Sequence, residues 1–441
     1  MESRGAWPQV PRKEENVELE KQEIKKGVGF TGIETTKFKT DLIAVFVTIP
    51  IERKTVTLDC LVPAVLRRGT QNMQTQIEIS KALENMYGAS FDCGIDKIAD
   101  NHIIKFYIET VNDNFLPQKE EVLNQALNTM FEILFNPLTE NGLFKQEYVE
   151  QEKKNIERII EAKIDNKDQY ATERISEIMY EGKPYGLYKY GYIEDLETIT
   201  NKQVFDRYQE IIKTAKIDIF VSGEIDKKQV TDVIRKNENI SKLQDREPNY
   251  IINNEETEKK EKLEKVNIQE EKLDIGQGKL IIGLDVLNSK KEDRFATIMY
   301  NVIFGESATS KLFQNVREKA SLAYTARSSY VRQKNNIIIK CGIEIENYEK
   351  AVKIIKEQIT SMEKGEFTEE DIEMAKRYMI NGIKTIKEGQ DTEITYYIGQ
   401  ELSGYTISLE QYEEKVQKVK KEDILKIANN LQINTIYFLR N

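Results

Sequence analysis

Apolar positions along the chain fall into short strand-like runs and helical stripes, and the same order of elements recurs in both halves. In the first half, Leu42 to Pro50 reads as a strand and Thr55 to Arg68 as an apolar helix stopped at Gly69. Ile79, Leu83, Met86 and Tyr87 mark one face of the next helix, with Gly88 as its stop, because glycine takes the left-handed conformation of a helix end without a Cβ penalty. Leu123, Leu127, Met130 and Leu134 define a longer helix ended by Asn136-Pro137, since proline disfavours the helical conformation of its predecessor. Ile217 to Gly223 closes the unit as a strand.

In the second half, Lys279 to Val286 is the opening strand and Arg294 to Phe304 the apolar helix, followed by Gly305. Val352, Ile355, Ile359 and Met362 form the longer helix, and Thr368 with Asp371 is a capping signal for the next. Thr435 to Leu439 supplies the last strand. The duplication is clearest where Asn101 to Glu109 matches Asn336 to Glu344 at six of nine positions, a shift of 235. Strands mixed with several helices per unit predict an α+β fold of two homologous units, each a largely antiparallel sheet packed with helices. The expected division is an N-terminal extension, 1–27, with room for an edge strand; a first unit, 28–235; a charged linker, 236–273; and a second unit, 274–441. The linker contains Asn253-Asn254-Glu255-Glu256-Thr257-Glu258 and buries little apolar area on this reading, with a solvated helix as the alternative.

Length and charge narrow the class. At 441 residues the chain has material for two cores. No apolar stretch approaches the roughly 20 residues of a membrane span, and residues 1–26 lack the apolar region of a secretory signal, so a cytoplasmic protein is expected. Cys60, Cys93 and Cys341 are odd in number and widely spaced, which fits reduced thiols better than disulfides or a cysteine zinc site. A net charge of −10 argues against nucleic-acid and anionic-membrane partners.

The chemistry concentrates in the run Val316-Arg317-Glu318-Lys319-Ala320-Ser321-Leu322-Ala323-Tyr324. Leu312, Phe313 and Val316 make one apolar face of a short helix, which turns Arg317 away from the core. Tyr324 alternates with Leu322 and Ala326 along an extended segment. A guanidinium and a phenol so placed could both donate to a peptide carbonyl or to the oxyanion formed from it; the competing reading is a surface arginine and a half-buried core tyrosine. With Phe304-Gly305 and Ser310-Lys311-Leu312-Phe313 before it, the run resembles the second-unit motif of the insulinase, pitrilysin and mitochondrial processing peptidase group of zinc metallopeptidases. That resemblance covers the chain from about Gly27 and implies the LuxS/mitochondrial-processing-peptidase-like metallopeptidase fold. It also implies that Arg317 and Tyr324 bind peptide and stabilise the tetrahedral intermediate.

The zinc side departs from the group's inverted H-x-x-E-H signature. Alignment on Gly69-Thr70 puts Cys60, Pro63 and Ala64 where His, Glu and His belong. Catalytic zinc needs about three protein ligands and an open water position, and His102, set in a strand and read as structural, is the one histidine in the chain. The later helix that carries the group's glutamate ligand is here rich in Glu152, Glu157 and Glu161, read as a solvated face, and Glu52, Asp59 and Cys60 make a poor substitute site. Phe38-Lys39-Thr40, Leu66-Arg67-Arg68-Gly69-Thr70, Leu83 to Ala89 and Asp165 to Ala171 further resemble a bacterial zinc-site-lacking subfamily associated with elongation factor P modification.

The expectation is therefore a non-catalytic subunit that binds no cofactor itself. It would lend substrate-binding groups to a homologous H-x-x-E-H subunit, which carries the zinc and completes a peptidase. The alternative is a non-hydrolytic scaffold or peptide-binding protein of the same fold; a self-sufficient metallopeptidase is disfavoured by the single histidine.

Overall fold

The computed structural model describes residues 20–118 and 120–441, so most of the 1–27 extension lies outside the described residues. The first unit contains β1 (Lys21–Lys25), β2 (Val28–Glu34), β3 (Thr40–Pro50), β4 (Ser90–Ile98) and β5 (Asn101–Val111). A two-residue hairpin, β6 (Thr139–Glu140) and β7 (Leu143–Phe144), stands apart, and β8 (Lys216–Gly223) returns to the sheet. The sheet order is β1-β2-β8-β3-β5-β4, with only β2 and β8 parallel. The second unit contains β9 (Asn267–Lys272), β10 (Gly278–Val286), β11 (Ala323–Val331), β12 (Asn336–Ile343) and β13 (Leu431–Arg440), in the order β11-β12-β10-β13-β9. Here too a single pair, β9 with β13, is parallel.

The two sheets have one topology, since β4-β5-β3-β8-β2 maps onto β11-β12-β10-β13-β9. This bears out the expected α+β class. The matching nonapeptides become β5 and β12, each paired on both edges, with one face in its own unit's core and the other carrying Lys105 or Lys340.

One face of each sheet packs on its own unit's helices, including Val56–Leu66 and Val122–Phe135 in the first and Arg294–Asn301 and Tyr348–Glu363 in the second. The other face takes a helix from the opposite unit. Ala171 and Ile175 of helix Lys167–Met179 cover Ile281, Ile338, Tyr437 and Leu439 of the second sheet. In return, Ile394 and Ile398 of helix Gln390–Glu401 cover Leu42, Ala44, Phe46 and Phe220 of the first. The exchange leaves neither sheet with a bare apolar face, and each unit depends on the other for that cover.

The polar segment 236–273 is not simply solvated. It forms β9, and Asn253, Asn254 and Glu255 are buried in it. Several of its buried polar groups find partners across the chain: Asn101 exchanges two hydrogen bonds with the Ile251 backbone, and Lys334 bonds Glu258 at 2.7 Å and Asp100 at 2.6 Å. Buried polar groups are tolerated when each finds a partner.

Candidate functional site

In the second unit, helix Arg294–Asn301 runs into a wider π-helical turn, Val302–Glu306, and a second such turn spans Phe313–Lys319. Extra-wide turns of this kind cluster at functional sites. Gly305 is tucked under β11, where a Cβ would lie 2.4 Å from Ser328 Oγ. Leu312 and Val316 are fully buried, anchoring the second turn and leaving Arg317 at the surface. Its guanidinium rests 4.6 Å from the centre of the Phe313 ring.

The chain then reverses through Ser321 in a left-handed conformation, and the Leu322 N–H donates to the Val316 carbonyl at 3.1 Å. That bond closes the excursion, so Arg317 and Tyr324 sit just inside and just outside its two ends. The even alternation expected for Tyr324 with Leu322 and Ala326 does not hold. A bulge between Ala323 and Thr325 inserts one residue into β11, so Ala323 and Ala326 point into the core while Tyr324 is 62% exposed. Bulges re-aim side chains in this way. The Tyr324 hydroxyl donates to Glu344 Oε1 at 2.7 Å, and this bond holds the phenol's proton more tightly than usual.

In the first unit, the positions of the missing zinc ligands lie on helix Val56–Leu66. Cys60 is buried; its thiol is 2.9 Å from the Lys189 carbonyl, and burial pushes its pKa well up. Pro63 and Ala64 offer no side-chain donor atom. His102 Nε2 donates to the same Lys189 carbonyl at 2.9 Å, and Asp59 is committed to Arg207 Nε at 2.6 Å. Glu52 pairs with Lys54 near the surface. Glu152, expected on a solvated face, is instead buried against Arg68 Nη1 at 3.1 Å, whereas Glu157 and Glu161 are exposed. These residues do not fit a zinc ion, and among the described residues no three His, Cys, Asp or Glu side chains are grouped to hold a metal.

What fills the place is a tyrosine-rich segment, Tyr185 to Tyr192, which the sequence reading did not single out. Lys97 Nζ donates to the carbonyls of Tyr185 and Leu187 at 2.7 and 2.8 Å, and burial lowers that ammonium to about 8. Tyr192 N–H donates to Thr57 Oγ1 at 3.1 Å, with Arg53 stacked on the Tyr192 ring at 4.0 Å. Gly191 makes the contact possible: its φ is +77°, and a Cβ would lie 2.1 Å from Thr57 Oγ1 and 2.6 Å from Thr57 Cα. Gly191→Ala is expected to destabilise the chain by about 2–4 kcal/mol, from left-handed strain plus overpacking against backbone. Thermal denaturation checks this, and an unchanged melt would show that the segment does not press on the helix. The cue in the sequence was Tyr185, Tyr188, Tyr190 and Tyr192 interleaved with Gly186 and Gly191.

A duplicated α+β scaffold, with Arg317 and Tyr324 exposed in the second unit and the metal side of the first filled in, sets the terms for comparison. Residues 198–379 match the family described as Peptidase M16 inactive domain. A Bacillus subtilis (strain 168) protein described as the probable inactive metalloprotease YmfF is 34% identical over 411 residues, covering 92% of this chain and 94% of its own. The chain belongs to the peptidase M16 family and is similar to its inactive members. Among solved structures, a conserved protein from Enterococcus faecalis V583 superposes with a TM-score of 0.86 at 24% identity, covering 96% of this chain and 98% of that one. A peptidase M16 inactive domain from Pseudomonas fluorescens does so with a TM-score of 0.76 at 16% identity, covering 96% and 98%. Among the described residues no helix is long and apolar enough to cross a membrane.

Proposed function

We propose that this chain is the non-catalytic subunit of a two-chain zinc metallopeptidase. A homologous H-x-x-E-H subunit supplies the metal and general base; this chain supplies Arg317 and Tyr324 to the bound peptide and to the oxyanion. The observation that carries the reading is the contrast between the two halves. Arg317 and Tyr324 are both held at the surface by specific devices, a π-helical turn and a bulge, while the metal side keeps one buried thiol, Cys60, tied to the Lys189 carbonyl, beside Pro63 and Ala64, which have no donor atom. Donation from a guanidinium and a phenol to a developing oxyanion is a transition-state interaction and needs no metal from this chain.

The scaffold reading draws on one feature, the engagement of the Tyr324 hydroxyl by Glu344. A peptide carbonyl has to displace that acceptor for Tyr324 to serve the substrate. Sedimentation of an equimolar mixture with the same organism's H-x-x-E-H homologue tests the partnership. The proposal expects one stable species of the summed mass; two species sedimenting independently would count against it.

A further inference from the structure

The internal duplication supplies a comparison between equivalent residues of β5 and β12. In the first unit, Lys105 reaches Asp96 on the neighbouring edge strand, with Nζ 3.3 Å from the carboxylate. Its counterpart, 235 residues on, is Lys340. Lys340 lies directly opposite Arg327 on β11, so a cation faces a cation, whereas Lys105 lies opposite Gly94 and reaches Asp96 diagonally. Like charges opposite one another on a ladder are destabilising. The carboxylate nearest in effect, Asp168, is tied to Lys279 at 3.1 Å. Among the described residues neither Arg327 nor Lys340 forms an ion pair, and Lys340 is half-buried. Burial and the Arg327 charge both hold its ammonium below the usual lysine range.

These two cations share a sheet face with Tyr324. The core side of β11 carries Ala323, Ala326 and Ser328, all buried. The bulge places Tyr324 and Thr325 on the other side with Arg327, all three exposed. Gly342, between Lys340 and Glu344, has no side chain, and the Gln277 amide and the Thr325 hydroxyl pack over it, where a Cβ would lie 2.8 Å from Gln277 Oε1 and 3.2 Å from Thr325 Oγ1; Tyr324 and Arg327 stand exposed on either side. β11 is an edge strand, with its outer backbone groups unpaired within its sheet.

We propose that Arg327 and Lys340 form a carboxylate subsite that selects an acidic side chain of an extended peptide laid along β11. The acidic residue stands two positions from the one whose carbonyl meets Tyr324. The inference rests on the peptide-binding role of Tyr324. The spacing follows from the register: Thr325 pairs with Gly342 and Arg327 with Lys340, two ladder steps apart. Same-face side chains of an extended peptide repeat at that interval, about 7 Å. A carboxylate between an arginine and a lysine accepts charge-assisted hydrogen bonds from both and relieves their mutual repulsion.

The test uses two amidated, fluorescein-labelled peptides differing by one Glu-to-Gln exchange, titrated against the full chain by anisotropy and offered as substrates to the two-chain complex. The Glu peptide is expected to bind this chain about tenfold more tightly, with the gap narrowing at high salt. Arg327→Gln combined with Lys340→Met closes the gap, and Arg327→Lys retains part of it. Because Arg327→Gln removes a repulsion, that single variant melts no lower than the parent, which a purely structural role for Arg327 would not allow. Equal affinities for the two peptides, or a gap that survives the double variant, overturns the subsite. A Glu preference without cleavage by any complex keeps the subsite and removes the two-chain hydrolysis reading; cleavage with no Glu preference does the reverse.

Discussion

Arg317→Ala is expected to slow peptide cleavage by the proposed two-chain complex by about 10²–10³, the usual loss when one oxyanion donor is removed. The residue's setting makes this a change in chemistry and not in folding. Its side chain is 44% exposed, its contact with Glu318 is a loose 3.6 Å, and the apolar anchors of its turn, Leu312 and Val316, are untouched by the substitution. The ring of Phe313 beneath the guanidinium fixes its direction without consuming its donors. Arg317→Lys recovers only part of the rate, because a point charge cannot reproduce the planar fork. Steady-state kinetics on a quenched peptide separates the possibilities. A fall in kcat with KM little changed marks a transition-state contact, and an unchanged kcat/KM removes Arg317 from the mechanism.

Glu255→Ala destabilises the chain by about 3–5 kcal/mol, the range for breaking a buried ion pair from one side. Arg294 and Glu255 are each 1% exposed and joined by two hydrogen bonds of 2.6 and 2.8 Å. The Tyr405 ring lies 4.2 Å from the guanidinium and gives it apolar cover with no acceptor to replace the carboxylate. Removing the glutamate therefore strands a cation that cannot shed its proton. Replacing both partners, Glu255→Leu with Arg294→Met, restores most of the loss, since the penalty belongs to the unpaired charge. Denaturant midpoints of the two single variants and the double variant measure this. A single-variant loss below about 1 kcal/mol would place the pair among weakly coupled surface charges.

The architecture was readable because it rests on periodicity. Continuous apolar runs announced β3 and β10, and Thr368 with Asp371 forms the capping box its spacing suggested. The six matched positions of β5 and β12 revealed the duplication before any topology was known. Partnerships across the chain were harder to read. The apolar stripe of Lys167–Met179 says that one face is covered, but a stripe carries no address, and its cover is the other unit's sheet. Glu255 sits in a run whose composition matches a solvated linker, and only its distant partner Arg294 makes it internal.

At the site, Arg317 and Tyr324 came from a motif, and the motif held no sign of the bulge that turns Tyr324 outward. A one-residue insertion in a strand is invisible when the flanking residues are all compatible with extension. The filling of the metal side was half legible. Cys60, Pro63 and Ala64 already lacked the ligands, but the plug that covers them is made largely of backbone, and the Lys189 carbonyl leaves no trace in a side-chain pattern.

The central claim is that catalysis is divided between two chains, and cleavage of a quenched mixed-peptide library tests it most directly. The same organism's zinc-bearing homologue is assayed alone, with one equivalent of this chain, and with this chain plus EDTA. The account predicts activity that emerges or rises strongly only in the mixture and is abolished by EDTA. Full activity of the homologue alone, unchanged by addition of this chain, would contradict it.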